Sequence, residues 1–141
     1  KVEILCGDFA QTEQYAGPDT IFYFDPPYKP ITETSSFTSY AKDGFNDEEQ
    51  IRLRNFCQRL NNRLGVKWMQ SNADCSAKNP EDRFFEDNYR NCFISRVYAS
   101  RSINANPSKR GKLTELLISN YRPEGYIEIA AEDVEPYNRA I

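Results

Sequence analysis

The stretch Thr20-Ile21-Phe22-Tyr23-Phe24-Asp25-Pro26-Pro27-Tyr28 sets the fold class. Ile21 to Phe24 is apolar without polar alternation and rich in β-formers. That predicts a strand over Thr20 to Phe24 buried on both faces, as in the parallel sheet of an α/β domain. Neither Pro26 nor Pro27 has a backbone N–H to continue a ladder, so the strand stops at Asp25. Ligands of open α/β sheets bind outside the carboxyl ends of the strands, which places Asp25 where a site is expected.

Upstream, Val2 to Cys6 alternates and predicts a short strand ending at Gly7-Asp8. Phe9 to Tyr15 fits one or two helical turns, and Gly17-Pro18-Asp19 is a turn. Downstream, Lys29 to Phe45 reads as a long polar loop, of a length that is usually functional or mobile. Asn46-Asp47-Glu48-Glu49 then reads as an N-cap, a capping box and acids at the positive end of a helix. Leu53, Phe56, Cys57, Leu60 and Leu64 recur at helical spacing, and Gly65 closes the helix. Val66 to Met69 predicts a strand followed by Gln70-Ser71-Asn72, Pro80 to Tyr89 a short helix, and Cys92 to Tyr98 and Leu113 to Asn120 two more strands. Tyr126 to Ile129 alternates as a further edge strand. Strand–helix alternation in the middle predicts a mostly parallel sheet with crossover helices, and the two close strands near the end a hairpin.

The 141 residues suggest one domain with a buried core, and 39% hydrophobic against 28% charged residues reads as globular. No run of about 18 apolar residues offers a membrane span, and no signal peptide follows Lys1. A chain opening on Lys1 without Met is expected to be a cut or processed product. Histidine is absent, which excludes Ser-His-Asp and Cys-His catalysis and His metal ligands. Cys6, Cys57, Cys75 and Cys92 form no C-x-x-C pair, so no metal site is expected, and free buried thiols in a reducing cytoplasm are the default reading. The net charge of −3 means that any nucleic-acid contact must use a local patch. Arg96, Arg101, Lys109, Arg110 and Lys112 supply one, with no acid among them.

In this order the motifs resemble the α-class, Dam-like DNA adenine-N6 methyltransferases over roughly Ile4 to Tyr121. The resemblance runs through Cys6-Gly7-Asp8-Phe9, then Phe22 to Tyr28, then Ser36-Phe37-Thr38-Ser39-Tyr40, Phe45 and Ser71-Asn72. It ends with Arg101-Ser102-Ile103-Asn104, Lys109-Arg110-Gly111 and Glu115-Leu116-Leu117-Ile118. It implies a partial Rossmann-like methyltransferase sheet, S-adenosylmethionine as cofactor and double-stranded DNA as partner, for a bacterial or phage protein acting on DNA in the cytoplasm.

The amine of adenine is a poor nucleophile because its lone pair is delocalised into the ring. A carboxylate and a carbonyl that accept its two N–H bonds pull the nitrogen towards tetrahedral geometry and free the pair for direct in-line attack on the methyl. Asp25 and the Pro26 carbonyl are the natural acceptors, aimed in advance by the rigid Pro26-Pro27 pair. The base must leave the duplex, and Tyr28 can stack on it. Asparagine in place of Asp25 would have pointed to glutamine methylation instead. By the resemblance, Asp8 and Phe9, with Asp25, hold the cofactor: Asp8 accepts from its amino group and Phe9 meets the ring edge. Phe37, Thr38 and Tyr40 belong to a segment expected at the DNA, and Arg101, Asn104, Lys109 and Arg110 to the phosphate backbone.

Two family parts have no counterpart here, the glycine-rich F-x-G-x-G cofactor loop and the target-recognition segment. Residues 1–121 therefore read as the carboxyl-terminal part of the catalytic domain, inactive alone, and 122–141 as an acidic tail. The gap predicts an exposed strand edge, and so either self-association or a rearranged first strand. A restriction endonuclease partner is left open. The alternatives are a non-catalytic nucleic-acid-binding module and a cytosine-N4 methyltransferase.

Overall fold

The structure, a computed structural model, describes residues 1–31, 44–100 and 112–124. A 3-10 helix, Phe9–Tyr15, precedes β1 (Ile21–Phe24), α1 (Asp47–Asn61), β2 (Lys67–Ala73), α2 (Cys75–Lys78), α3 (Phe84–Asn88), β3 (Phe93–Ser100) and β4 (Lys112–Ser119). The four strands form one sheet in the order β1-β2-β4-β3.

The sheet is mixed, which corrects the mostly parallel expectation. β1 and β2 are parallel, with Phe22 opposite Trp68 and Phe24 opposite Gln70. β4 runs antiparallel to β2, with Asn72 opposite Leu116, and antiparallel to β3, with Arg96 opposite Leu116. The expected terminal hairpin is therefore present, as β3-β4. Its return strand inserts between β2 and β3, so these two point the same way without ever pairing. Strand order along the chain gave no hint of that insertion.

One face of the sheet carries the core. Trp68, Ile118 and Leu116 on the strands meet Leu53, Phe56, Cys57 and Leu60 on α1, and Phe85 on α3 closes the cluster. Phe56 is fully buried and sits edge-on to Phe9, Phe22 and Phe24. Trp68 turns its indole N–H to Asn61 Oδ1 at 2.8 Å, so the largest core side chain keeps its polar atom satisfied. The other face of β1 is uncovered. Ile21 is 68% and Tyr23 61% exposed while Phe22 is 8% exposed, so β1 is not buried on both faces.

Four further expectations change. Residues 1–6 form no strand, and Val2 and Ile4 stand 88% and 92% exposed. Among the described residues β1 pairs only with β2, so no neighbouring edge holds that segment extended. Asn46 caps α1, accepting from the Glu49 N–H at 3.0 Å, but the return half of the capping box is missing. The Glu49 carboxylate instead pairs with Arg52, and the Asn46 N–H goes to the Gly44 carbonyl. The helix ends at Asn61 rather than at Gly65, which leaves Leu64 90% exposed. β2 runs on through Gln70, Ser71 and Asn72 to Ala73, past the expected strand end at Met69. All three are buried: β4 supplies each with a ladder partner and β1 pairs with Gln70, while Gln70 Oε1 accepts from the Tyr89 hydroxyl, Ser71 Oγ donates to Asp25 and Asn72 Nδ2 donates to Gln50. The Tyr126–Ile129 edge strand lies outside the described residues.

Candidate active site

Asp25, Pro26, Pro27 and Tyr28 leave the carboxyl end of β1 as a turn laid over the adjoining end of β2. Ser71, on β2, donates from Oγ to Asp25 Oδ1 at 3.0 Å. Asp25 is exposed, and its Oδ2 and the Pro26 carbonyl take no hydrogen bond among the described residues. A carboxylate anchored by one oxygen, beside an open carbonyl, is an acceptor pair suited to the two hydrogens of an amine.

Tyr28 is half-buried and donates from its hydroxyl to Glu115 Oε2 on β4 at 3.3 Å. Burial, reinforced by the Glu115 and Asp25 carboxylates, pushes its phenol above the ordinary value, so it stays a neutral donor. The Gln50 amide nitrogen on α1 donates to the Pro27 carbonyl at 2.9 Å, and the Lys29 N–H donates to Asn72 Oδ1 at 3.0 Å. The Lys29 ammonium bonds Asp47 at 2.7 Å and lies over the Phe84 ring at 4.7 Å. The turn is thus tied to β2 at its Asp25 end and to both α1 and β2 at its Pro27–Lys29 end.

Asp8 and Phe9 lie where the chain enters the 3-10 helix. Asp8 caps that helix, accepting from Ala10 N–H at 2.9 Å. Arg52 reaches across from α1 and bonds both Asp8 oxygens, at 3.0 and 2.7 Å. That contact, with the Ala10 N–H, holds the Asp8 carboxyl below its ordinary 3.8. The same guanidinium stacks 4.1 Å from the centre of the Phe9 ring. Phe9 and Phe24 both pack on Phe56, at 5.5 and 5.9 Å between centroids, so a shared aromatic packing joins the two sequence-predicted clusters.

The sequence matches the model of the D12 class N6 adenine-specific DNA methyltransferases over residues 1–103. The chain belongs to that family. It is 47% identical over 121 residues to the Type II methyltransferase M.MjaIII of Methanocaldococcus jannaschii, a match covering 85% of this chain and 39% of that protein. It is 33% identical to a DNA adenine methylase of Haemophilus influenzae, covering 80% of this chain and 37% of that one. For the DNA adenine methylase of Escherichia coli K12 the figures are 28%, 84% and 39%. The chain thus spans about two fifths of the length of these relatives. No solved structure matches it.

Within this D12-class chain, Phe37, Thr38, Tyr40, Arg101, Asn104, Lys109 and Arg110 lie outside the described residues. Arg96, counted above with the basic stretch, is turned inward. Its side chain is 6% exposed, with Nε on Asp74 Oδ2 at 3.0 Å and Nη2 on Glu86 and Ser76. It is a core cation, not a surface one. Sequence reasoning gave no role to Gln50, Arg52, Ser71, Asn72 or Glu115. Gln50 did carry a signal: it occupies the buried face of α1, in phase with Leu53, Cys57 and Leu60, where an apolar residue was due.

Proposed function

We propose that this chain carries the amine-activating part of a DNA adenine-N6 methyltransferase. The observation that supports it best is the acceptor pair at the end of β1: Asp25 steadied by Ser71, with its second oxygen and the Pro26 carbonyl open among the described residues. Those two acceptors take the two N–H bonds of the exocyclic amine and raise its nucleophilicity. Because proline fixes φ at both positions, little reorganisation is left for the reaction itself. Tyr28 supplies a stacking face for the extruded base, a contact worth roughly 1–3 kcal/mol.

The family implies a methyl donor, and on this reading the donor is S-adenosylmethionine. Its chemistry suits Asp8 and Phe9: the Asp8 carboxylate is exposed, its Oδ2 carries only the Arg52 bond among the described residues, and an aromatic ring adjoins it. Asp8 would accept from the adenine amino group, and Phe9 would meet the ring edge. When bound, that donor supplies an electrophilic sulfonium methyl. Phe37, Thr38 and Tyr40 face the DNA on this reading, while Arg101, Asn104, Lys109 and Arg110 neutralise phosphates. The enzyme works on duplex DNA in the cytoplasm. A chain about two fifths as long as its relatives does not methylate alone. The outer edge of β1, unpaired among the described residues, takes another segment or a second copy. The likeness to proteins named Type II methyltransferases favours a companion restriction endonuclease.

The test is transfer of labelled methyl to duplex DNA by the full-length enzyme carrying this sequence, beside its Asp25→Ala form. The expected result is N6-methyladenine from the first and at least a hundredfold less from the second. Equal methylation by both overturns the role of Asp25. No methylation by either moves the reading to a non-catalytic nucleic-acid-binding module, and N4-methylcytosine as the product changes the base.

A further inference from the structure

We propose that Gln50 and Asn72 are positioning residues that set the ring of Tyr28, an inference resting on the reading of Tyr28 as the stacking face for the base. Asn72 is fully buried and Gln50 is 1% exposed. Two buried primary amides must spend their hydrogen bonds inside the protein, and these spend them on one turn. Gln50 Nε2 donates to the Pro27 carbonyl at 2.9 Å. Asn72 Oδ1 accepts from the Lys29 N–H at 3.0 Å and the Ala73 N–H at 2.9 Å. The two amides are joined to each other, Asn72 Nδ2 to Gln50 Oε1 at 3.1 Å.

The pair thus grips the two peptide groups that flank Tyr28, one by its carbonyl and one by its N–H. Proline fixes φ at positions 26 and 27, so Tyr28 is the first residue after the proline pair with both backbone dihedrals free. Holding the peptides on either side of it fixes those dihedrals. At the far end of the ring the hydroxyl is tied to Glu115 on β4. The ring plane is therefore set from three elements, α1, β2 and β4, before any base arrives. Such preorganisation costs nothing when the base binds.

The experiment is a double-mutant cycle in the full-length enzyme, reading kcat/KM for methyl transfer to duplex DNA. Thermal melts establish that each variant is folded. Gln50→Leu is expected to lower kcat/KM about tenfold, and Tyr28→Ala roughly 5- to 150-fold. The double variant is expected within twofold of Tyr28→Ala, because Gln50 has nothing left to position. Losses that simply multiply, as two independent structural defects do, overturn the proposal. So does wild-type kcat/KM in Gln50→Leu. If Gln50→Leu does not fold, the isosteric Gln50→Glu carries the same cycle, keeping an acceptor for Asn72 and losing the donor to Pro27. An Asp25→Ala control separates the two failures. If it abolishes methylation while the cycle multiplies, only the positioning role falls. If it retains methylation, the reading of the turn falls first.

Discussion

Replacing Arg96 by Met tests the charged cluster beneath the site. Arg96 bonds Asp74 through Nε at 3.0 Å, Ser76 through Nη2 at 3.0 Å, and Glu86 through the same nitrogen. Asp74 is fully buried and the Glu86 side chain 16% exposed. Met fills most of the volume but leaves two carboxylates facing each other without a cation. Removing one partner of a buried ion pair costs about 3–5 kcal/mol. Asp74 keeps bonds from Thr114 Oγ1 at 2.8 Å and the Ala77 N–H at 3.3 Å, which favours the lower end, about 3 kcal/mol. That is a large part of the roughly 5–15 kcal/mol by which a domain is stable. Equilibrium unfolding in urea measures it. With a slope of about 2 kcal/mol per molar, the midpoint is expected to fall by about 1.5 M. The triple change Arg96→Met, Asp74→Asn and Glu86→Gln is expected to recover at least half of that shift, since no unpaired charge remains. A midpoint within about 0.5 M of wild type for Arg96→Met would refute the reasoning. Function offers a second check. A residue on a DNA phosphate contributes about 0.9 to the slope of log affinity against log salt. Arg96 faces the core, so Arg96→Met in the full-length enzyme is expected to leave that slope unchanged.

Thiol chemistry should separate the four cysteines. Cys6 is exposed, against the expectation that all four thiols are buried, because residues 1–6 pack into no strand; burial raises the Cys57 thiol, pushes Cys75 up to about 12 and Cys92 up to about 11. At about pH 8 these three hold almost no thiolate, so a disulfide reagent is expected to modify one thiol promptly and the rest only on unfolding; two or more fast thiols would contradict this. Gly65 has φ of +78°, and a Cβ there would meet Pro18 Cα at 2.9 Å and its carbonyl at 3.0 Å. Gly65→Ala is expected to cost about 2 kcal/mol or more, read from the urea midpoint; an unchanged midpoint would show that the turn relaxes freely.

The fold was partly legible because local rules governed parts of it. The N-cap at Asn46, the apolar face of α1 and the closing hairpin depend on neighbours in sequence, and they stand where the pattern put them. The misreadings share a cause. Gln70, Ser71 and Asn72 are polar, and polarity after a short apolar run ended the expected strand at Met69; their burial depends on Tyr89, Gln50 and β4, which are distant in sequence. Arg96 looked like part of a basic surface because nothing near it in sequence is acidic, while Asp74 and Glu86, its partners, lie 22 and 10 residues away.

The candidate site divides the same way. By itself the sequence determined the strand-ending Asp25-Pro26-Pro27-Tyr28 turn, its rigidity and its chemical type, because covalent proline geometry and residue order are local properties. The motif series also carried the family. Only the tertiary structure decided what holds that turn: Ser71 on the Asp25 carboxylate, Glu115 on the Tyr28 hydroxyl, and Gln50 with Asn72 on the peptides between. These partners come from three elements and lie 23 to 87 residues along the chain from the turn residues they hold. Hydrogen bonds across such distances follow strand order and register, and here those were set when β4 inserted beside β2.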